Sequence, residues 1–403
     1  MNQRTSRKVM YPVNKRAFIV SYLVSLALFT AFTFLYTPYF SAFFQKSEYT
    51  YADISVPVST SVPLIYSDQA PALSAAVSAR SAVLIDASSG AVLFEKNSSE
   101  RLPMASTTKI MTALVILEKM QLDEVVSVPK EATLVEGSSI YLRENEEITV
   151  ETLLYGLLLE SGNDAAHTLA VACSGSIEAF ADEMNKKATR LGLQNTCFKN
   201  PHGLTAEGHY TTAYELARIT AEAMKNPVFC KIVLTQKLLA PSLDGELTRL
   251  FLNHNKLLKY YDGAVGVKTG YTEAAGRCLV SAAEKTGFRF IAVTLNDRDD
   301  WDDHCNMLNF AFENFKTIEI AAQNEFGVYI DGLRYSNPEG IYLTVPVQVD
   351  PVLSYQCSFD SEKYCVRYYV DGIDAGVFYL SPPKQLHEIT EPAASLPNFR
   401  PKQ

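Results

Sequence analysis

The sequence predicts an α+β chain in three parts. These are an N-terminal membrane segment, a domain built on one antiparallel sheet flanked by helices, and a small C-terminal all-β domain. Three observations predict it. An uncharged apolar run follows a basic N-terminus. A long stretch of helical periodicity is framed by strand patterns, two early and three late. Beyond residue 316 almost every segment reads as strand, with turn residues at short intervals.

The N-terminus comes first. Arg4, Arg7, Lys8, Lys15 and Arg16 precede a run without charge at 17–36. About 20 residues at about 1.5 Å each span roughly 30 Å, the thickness of a bilayer core. Positive charge ahead of such a run keeps residues 1–16 in the cytoplasm, so a single-pass protein in the cell membrane with everything after the run outside is expected. Cleavage of the run as a signal, giving a secreted protein, is the rival reading. The aromatics of 37–44 leave no small-x-small site directly after it, and "AVSA" at 76–79 lies far downstream. Residues 37–78 read as a polar linker.

"SAVLIDASSGAVLFEKN" (81–97) reads as two apolar edge strands around Ser88-Ser89-Gly90. Apolar positions at helical spacing then predict helices at 106–120, 151–160, 163–173, 177–191 and 212–225. Strands return in "DGAVGVKTG", "RCLVSAAEKTG" and "FRFIAVTLN", and a helix at about 300–316 closes a domain over 79–317. A β domain follows at 318–389. The Pro-containing tail at 390–403 shows no amphipathic pattern, so membrane attachment is expected through the N-terminal segment.

Composition narrows the function. The chain has 403 residues, is 47% hydrophobic and carries a net charge of −9, so it can build sizeable cores and gives no bulk basic signal for nucleic acid. Seven cysteines occur without a Cys-x-x-Cys pair, which argues against zinc and dithiol redox chemistry. The odd count leaves a thiol unpaired. Cys357 and Cys365 flank "SFDSEKY", where they either face each other across a hairpin or remain free, half-buried thiols.

The chemistry starts at "MASTTKIMTALVIL" (104–117). Ser106 stands at the mouth of a helix whose apolar face is Ile110, Met111, Leu114, Val115 and Leu117, and Lys109 lies one turn on, on the serine's side. Backbone N–H groups at such a helix start can stabilise an oxyanion. The plain alternative is a capping serine with an incidental lysine. The pattern is cheap: Ser127 to Lys130, "SVPK", repeats it, but a proline interrupts and no apolar helix follows. Two further elements strengthen Ser106. Ser161-Gly162-Asn163 falls in a turn between two helices. Lys268-Thr269-Gly270 ends a strand that carries Gly263, Ala264 and Gly266, small enough to leave room beside the backbone. A second Lys-Thr-Gly, at 285–287, falls between two strands and reads as a hairpin turn.

The ordered set Ser-x-x-Lys, Ser-x-Asn, Lys-Thr-Gly resembles the penicillin-binding proteins and serine β-lactamases. "MASTTKIMTAL", "LLLESGNDAA", "NPHGLTAEGHYTTA" and "GVKTGYTEAAGRCLVSAA" look closely like the D-alanyl-D-alanine carboxypeptidases of low molecular mass, over residues 80–318. The likeness is looser at 318–390. One expected departure is that many members end in an amphipathic anchor helix, a pattern that 390–403 does not show. The resemblance implies the β-lactamase/penicillin-binding-protein-like fold and a set of roles. Ser106 attacks the carbonyl between two D-alanines. Lys109, desolvated and near the positive Lys268, acts as a neutral base. Ser161 relays the proton to the leaving amine, and Asn163 bonds the substrate amide as donor and acceptor. Lys268 and Thr269, with Gly270, hold the terminal carboxylate, and the N–H groups of Ser106 and Tyr271 form the oxyanion hole. No metal or organic cofactor is implied. The implied partners are peptidoglycan stem peptides ending in D-Ala-D-Ala and β-lactam antibiotics. A D,D-endopeptidase, a β-lactamase using the same serine, and a non-catalytic penicillin-sensing or wall-binding protein are the alternatives. His202 reads as a structural loop residue, Arg277 as a packed or solvated arginine, Glu160 as a helix-end carboxylate, and the acids at 299–303 as the start of a helix.

Overall fold

The computed structural model describes residues 71–382 apart from 331–332 and 361–362. The apolar run at 17–36, most of the linker and the tail therefore lie outside the described residues. No helix among those described is long and apolar enough to cross a membrane.

The first hairpin forms where its turn residues place it, from β1 (Ser81–Asp86) and β2 (Val92–Lys96). A 3-10 turn at Ala105–Thr108 runs into α1 (Lys109–Lys119). A short pair, β3 (Val125–Ser127) and β4 (Glu147–Thr149), brackets a loop and leads to α2 (Val150–Leu159). There follow α3 (Asn163–Ser174), α4 (Ile177–Arg190), α5 (Ala213–Ala223) and α6 (Pro227–Leu234). The starts are chemically marked: Thr149, Ser176, Thr212 and Asn226 each accept a backbone N–H of the first turn through the side chain. Next come a hairpin of β5 (Lys237–Pro241) and β6 (Thr248–Leu252), the single turn α7 (Leu257–Tyr260), three long strands β7 (Ala264–Thr272), β8 (Gly276–Lys285) and β9 (Phe288–Asp297), and α8 (Asp300–Asn314).

The long strands and the first hairpin make one antiparallel sheet in the order β2-β1-β9-β8-β7. Of the two early strands only β2 is an edge; β1 lies between β2 and β9. The strand period of two explains why the sheet is covered on both faces. Val83, Ile85, Val280, Ala282, Ile291 and Val293 pack into the large core beneath α1 to α6. Their alternates Ala82, Leu84, Leu279, Ala283, Phe290 and Ala292 pack against Met307, Leu308 and Ala311 of α8. His304 of α8 is buried on that second face between the hydroxyls of Ser281 (2.5 Å) and Thr294 (3.0 Å), and desolvation pushes its pKa down to about 3.

The C-terminal region is all strand: β10 (Phe315–Ala321), β11 (Gly327–Ile330), β12 (Leu333–Ser336), β13 (Ile341–Pro346), β14 (Leu353–Asp360), β15 (Lys363–Val370) and β16 (Ile373–Tyr379). The pair β10–β13 and the three-stranded β14-β15-β16 enclose a small core around Leu343, Val345, Tyr368 and Val370, and the pair β11–β12 packs Val328 and Tyr335 against a second cluster around Phe326 and Val366. One buried group joins this region to the first sheet. Asp86, at the end of β1, accepts the N–H groups of Ser88 and Ser89 on one oxygen. Its other oxygen accepts the hydroxyls of Thr317 and Thr344.

All seven cysteines are free. Cys357 faces Val366 and Cys365 faces Ser358, so the two thiols are one register step apart on opposite faces of the hairpin, one exposed and one buried. The repeated motifs also resolve. Ser127 ends β3 and Lys130 opens a separate 3-10 turn. Lys285 ends β8 at a turn through Thr286 (φ 50°) and Gly287 (φ 83°). It is not simply solvated: its ammonium lies over the rings of Tyr261 and Phe312, 5.0 and 5.3 Å from their centroids. Helix α6 and the β5–β6 hairpin have no counterpart in the sequence reading, although Asn226-Pro227 is a recognisable N-cap and first-turn pair.

Candidate active site

Three elements converge on Ser106. The first is its own turn, where Ala105 adopts φ 47° and so delivers the serine out of line with the preceding chain. Ser106 is no cap: neither the turn nor α1 has a side-chain capping bond. The second is the end of edge strand β7. A Cβ on Gly270 would stand 3.0 Å from the Ser106 nitrogen and 3.1 Å from that of Thr107. Glycine there lets the strand lie directly against the N–H groups of the turn, which sets the backbone of Tyr271 next to Ser106. The third is the loop through 200–204. Gly203, at φ 89°, leaves no room for a Cβ, which would fall 1.9 Å from the carbonyl oxygen of Ala105.

Lys109 is fully buried, and its ammonium is the hub of the site. Nζ donates to Ser106 Oγ (3.0 Å), Asn163 Oδ1 (2.7 Å) and the carbonyl oxygen of His202 (2.7 Å). Burial drives its pKa well down, the charge of Lys268 drives it further, and Asp164 opposes both. Lys268, equally buried on β7, donates to the carbonyl of Thr269 at 3.0 Å. Desolvation brings its pKa down to about 7, with Glu160 acting the other way. His202 and His209 are neutral, their pKa values lowered by burial to about 3 and about 4.

The Ser161-Gly162-Asn163 turn is present and buried, with Ser161 at φ 62°. Asn163 differs from its expected use. Its oxygen is taken by Lys109 and one of its N–H groups by the carbonyl of Glu136 (2.6 Å), which leaves one N–H for a ligand. Ser161 is bonded to neither lysine: Lys109 donates to Ser106, Asn163 and His202, and Lys268 to Thr269. Thr269 and Tyr271 lie on the same strand end, and the Tyr271 ring is exposed. Arg277, opposite Tyr271 in the register, turns away to pair with Asp300 (Nε to Oδ2 3.0 Å) at the start of α8. Glu160 does more than end a helix. It accepts the N–H of Leu252, meets His254 at 3.3 Å, and is the anion that acts on Lys268. Among the described residues no cluster of His, Cys, Asp or Glu is arranged to hold a metal ion.

Sequence reasoning missed the carbonyls of His202 and Glu136, because a backbone oxygen leaves no mark in a side-chain pattern. It also missed Asp164, whose position in the first turn of α3 reads as an ordinary dipole partner.

The chain is similar in sequence and in fold to known proteins. The family model described as D-alanyl-D-alanine carboxypeptidase matches residues 67–299. The D-alanyl-D-alanine carboxypeptidase DacF of Bacillus subtilis is 42% identical over 256 residues, which take in 61% of this chain and 65% of that protein. Penicillin binding protein 5 of Haemophilus influenzae superposes with a TM-score of 0.66 at 25% identity, over 77% of this chain and 98% of that one. The Streptomyces K15 DD-transpeptidase does so with a TM-score of 0.56 at 33% identity, over 59% of this chain and 98% of that one.

Proposed function

Because the chain belongs to the D-alanyl-D-alanine carboxypeptidase family, we propose that it is a serine D,D-carboxypeptidase that removes the terminal D-alanine from peptidoglycan stem peptides. One observation carries this reading: Lys109 Nζ, buried and driven towards the neutral amine, stands 3.0 Å from Ser106 Oγ. The serine hydroxyl attacks the carbonyl between the two D-alanines as its proton passes to Lys109. The N–H groups of Ser106 and Tyr271 face the oxygen that gains charge, each contributing about 3 kcal/mol in sites of this kind. Lys268, with Thr269, holds the C-terminal carboxylate, and the free N–H of Asn163 takes a peptide carbonyl. The proton then leaves on the departing D-alanine amine, and Ser161, in the adjoining turn, is placed to pass it on. Water hydrolyses the acyl-enzyme and regenerates Ser106. β-Lactams, whose ring amide and carboxylate mimic this end of the peptide, acylate the same serine.

Incubating the chain from residue 78 onward with an N-acetylated pentapeptide ending in D-Ala-D-Ala should release free D-alanine. Ser106→Ala should abolish both that release and labelling by fluorescent penicillin. Labelling that survives in the variant, at Ser127 or any other serine, sinks the assignment. Likeness to a transpeptidase motivates one added arm, in which an amino-acceptor peptide competes with water for the acyl group.

We propose that a single span at 17–36 holds the protein in the cell membrane, with a catalytic domain (79–317) and a β domain (318–389) on the outer side, a reading supported by the basic flank and the uncharged run. Protease added to spheroplasts should remove the C-terminal part. A protected C-terminus overturns the orientation, and a mature N-terminus near Ala79 replaces the anchor with a signal peptide.

A further inference from the structure

Residues 136–142 form the wall of the cleft on the Asn163 side, bonded to that residue through Glu136 and through the carbonyl of Ser138 (2.7 Å from Asn163 N). Two buried charges clamp this loop. From within, the carboxylate of Asp164, 2% exposed, accepts the N–H groups of Ile140 (3.1 Å) and Leu142 (3.1 Å) and the hydroxyl of Ser139 (2.6 Å). From β6, the Arg249 guanidinium donates to the carbonyls of Ile140 (3.0 Å) and Tyr141 (3.2 Å) and forks onto Glu146 (2.6 and 2.7 Å). The N–H of Tyr141 donates to Ser139 Oγ at 2.9 Å. Both peptide groups around Tyr141 are therefore fixed.

What the clamps hold in place is costly to the fold. Tyr141 has φ 58°, a left-handed conformation that a bulky residue rarely adopts, and its side chain is 83% exposed. The ring gains nothing by burial and the backbone is strained by the presence of a side chain. Glycine would relieve both. Strain that the surroundings impose on an exposed aromatic beside a cleft is the pattern of a ligand contact. On β6, next to Arg249, Leu250 and Leu252 are exposed, and the backbone N–H of Leu252 donates to Glu160, the neighbour of Ser161.

We propose that Tyr141 is a binding residue for the part of the stem peptide that precedes the D-Ala-D-Ala pair, its ring packing on the aliphatic stem of the side chain found there. This rests on the carboxypeptidase reading and deepens it. Tyr141 touches no reacting atom, so its effect belongs to substrate affinity.

The test compares Tyr141→Ala and Tyr141→Gly with the unaltered chain on two substrates, the N-acetylated pentapeptide and N-acetyl-D-Ala-D-Ala. Both variants should lose about tenfold in kcat/KM on the pentapeptide, through KM, and change less than twofold on the short peptide. Tyr141→Gly should keep or raise Tm. Unchanged kinetics on the pentapeptide, equal losses on both peptides, or a lowered Tm in the glycine variant each overturn the proposal. An unaltered chain that releases no D-alanine from either peptide overturns the carboxypeptidase reading itself, and this one with it.

Discussion

Lys109 and Lys268 lie buried in one cleft, and the chemistry asks opposite things of them. A base must be neutral, and a carboxylate anchor must be charged. Lys109 is neutral above its lowered pKa, and Lys268 is a cation below about 7 while the site is empty. The expected kcat/KM profile rises as Lys109 loses its proton and falls as Lys268 loses its own, with the alkaline loss appearing in KM. A flat KM across the alkaline limb would separate Lys268 from carboxylate binding. Glu160→Gln removes the anion that sustains the Lys268 charge and should move the alkaline limb to lower pH. The two Lys-Thr-Gly lysines give a sharper contrast. Lys268→Ala removes a charge-assisted bond and should cost about 30- to 1000-fold in D-alanine release. Lys285→Ala loses only contacts with two rings and Asp262 at the far end of β8, so its release should stay near that of the unaltered chain.

The turn at Ala105–Thr108 depends on what lies beneath it. Gly203→Ala would put a methyl group 1.9 Å from the carbonyl of Ala105, on a backbone at φ 89°. Turn or loop must shift, and either shift displaces Ser106. The expected loss is about 3 kcal/mol or more in urea denaturation, with acylation by penicillin slowed more than the stability change alone explains. At this scale the helices were legible because their signals are local: apolar spacing, and caps such as Ser176 and Thr212. The Ser106, Ser161 and Lys268 motifs were legible for the same reason, each being a short contiguous string. The β5–β6 hairpin was not, because one of its inward positions is Arg249, which breaks the alternation that marks a strand. Nor was the wall of the cleft, whose form rests on that arginine reaching carbonyls more than a hundred residues away.

Across the whole molecule, Asp86 is one buried link between the β region and the first sheet. Asp86→Ala leaves the hydroxyls of Thr317 and Thr344 without their shared acceptor and should cost about 3 kcal/mol. Calorimetry should then resolve a separate β-region transition; a single unshifted peak would mean that other contacts hold the regions together. Acid should act on the unit as well. His202, His209 and His304 have folded pKa values of about 3 to 4 against an ordinary 6.5. The folded chain thus binds fewer protons than the unfolded one below pH 6.5. Their contribution is fully present above that pH and is lost as pH falls towards about 3, at up to about 1.4 kcal/mol per pH unit for each histidine. Denaturation midpoints that do not move between pH 6.5 and 4.5 would contradict it.

The three contacts of Lys109 carry a consequence in the counting of valences. An ammonium has three N–H bonds, enough for Ser106 Oγ, Asn163 Oδ1 and the His202 carbonyl together. A neutral amine has two, and a lone pair. The carbonyl of His202 cannot donate. Neither can Asn163 Oδ1, whose orientation is set by the bond from Nδ2 to Glu136. Of the three neighbours only the serine hydroxyl can turn its hydrogen towards the nitrogen. Once Lys109 gives up a proton, one arrangement satisfies every group, and in it the lone pair points at Ser106. The aim of the base is thus a matter of stoichiometry, fixed before any substrate arrives.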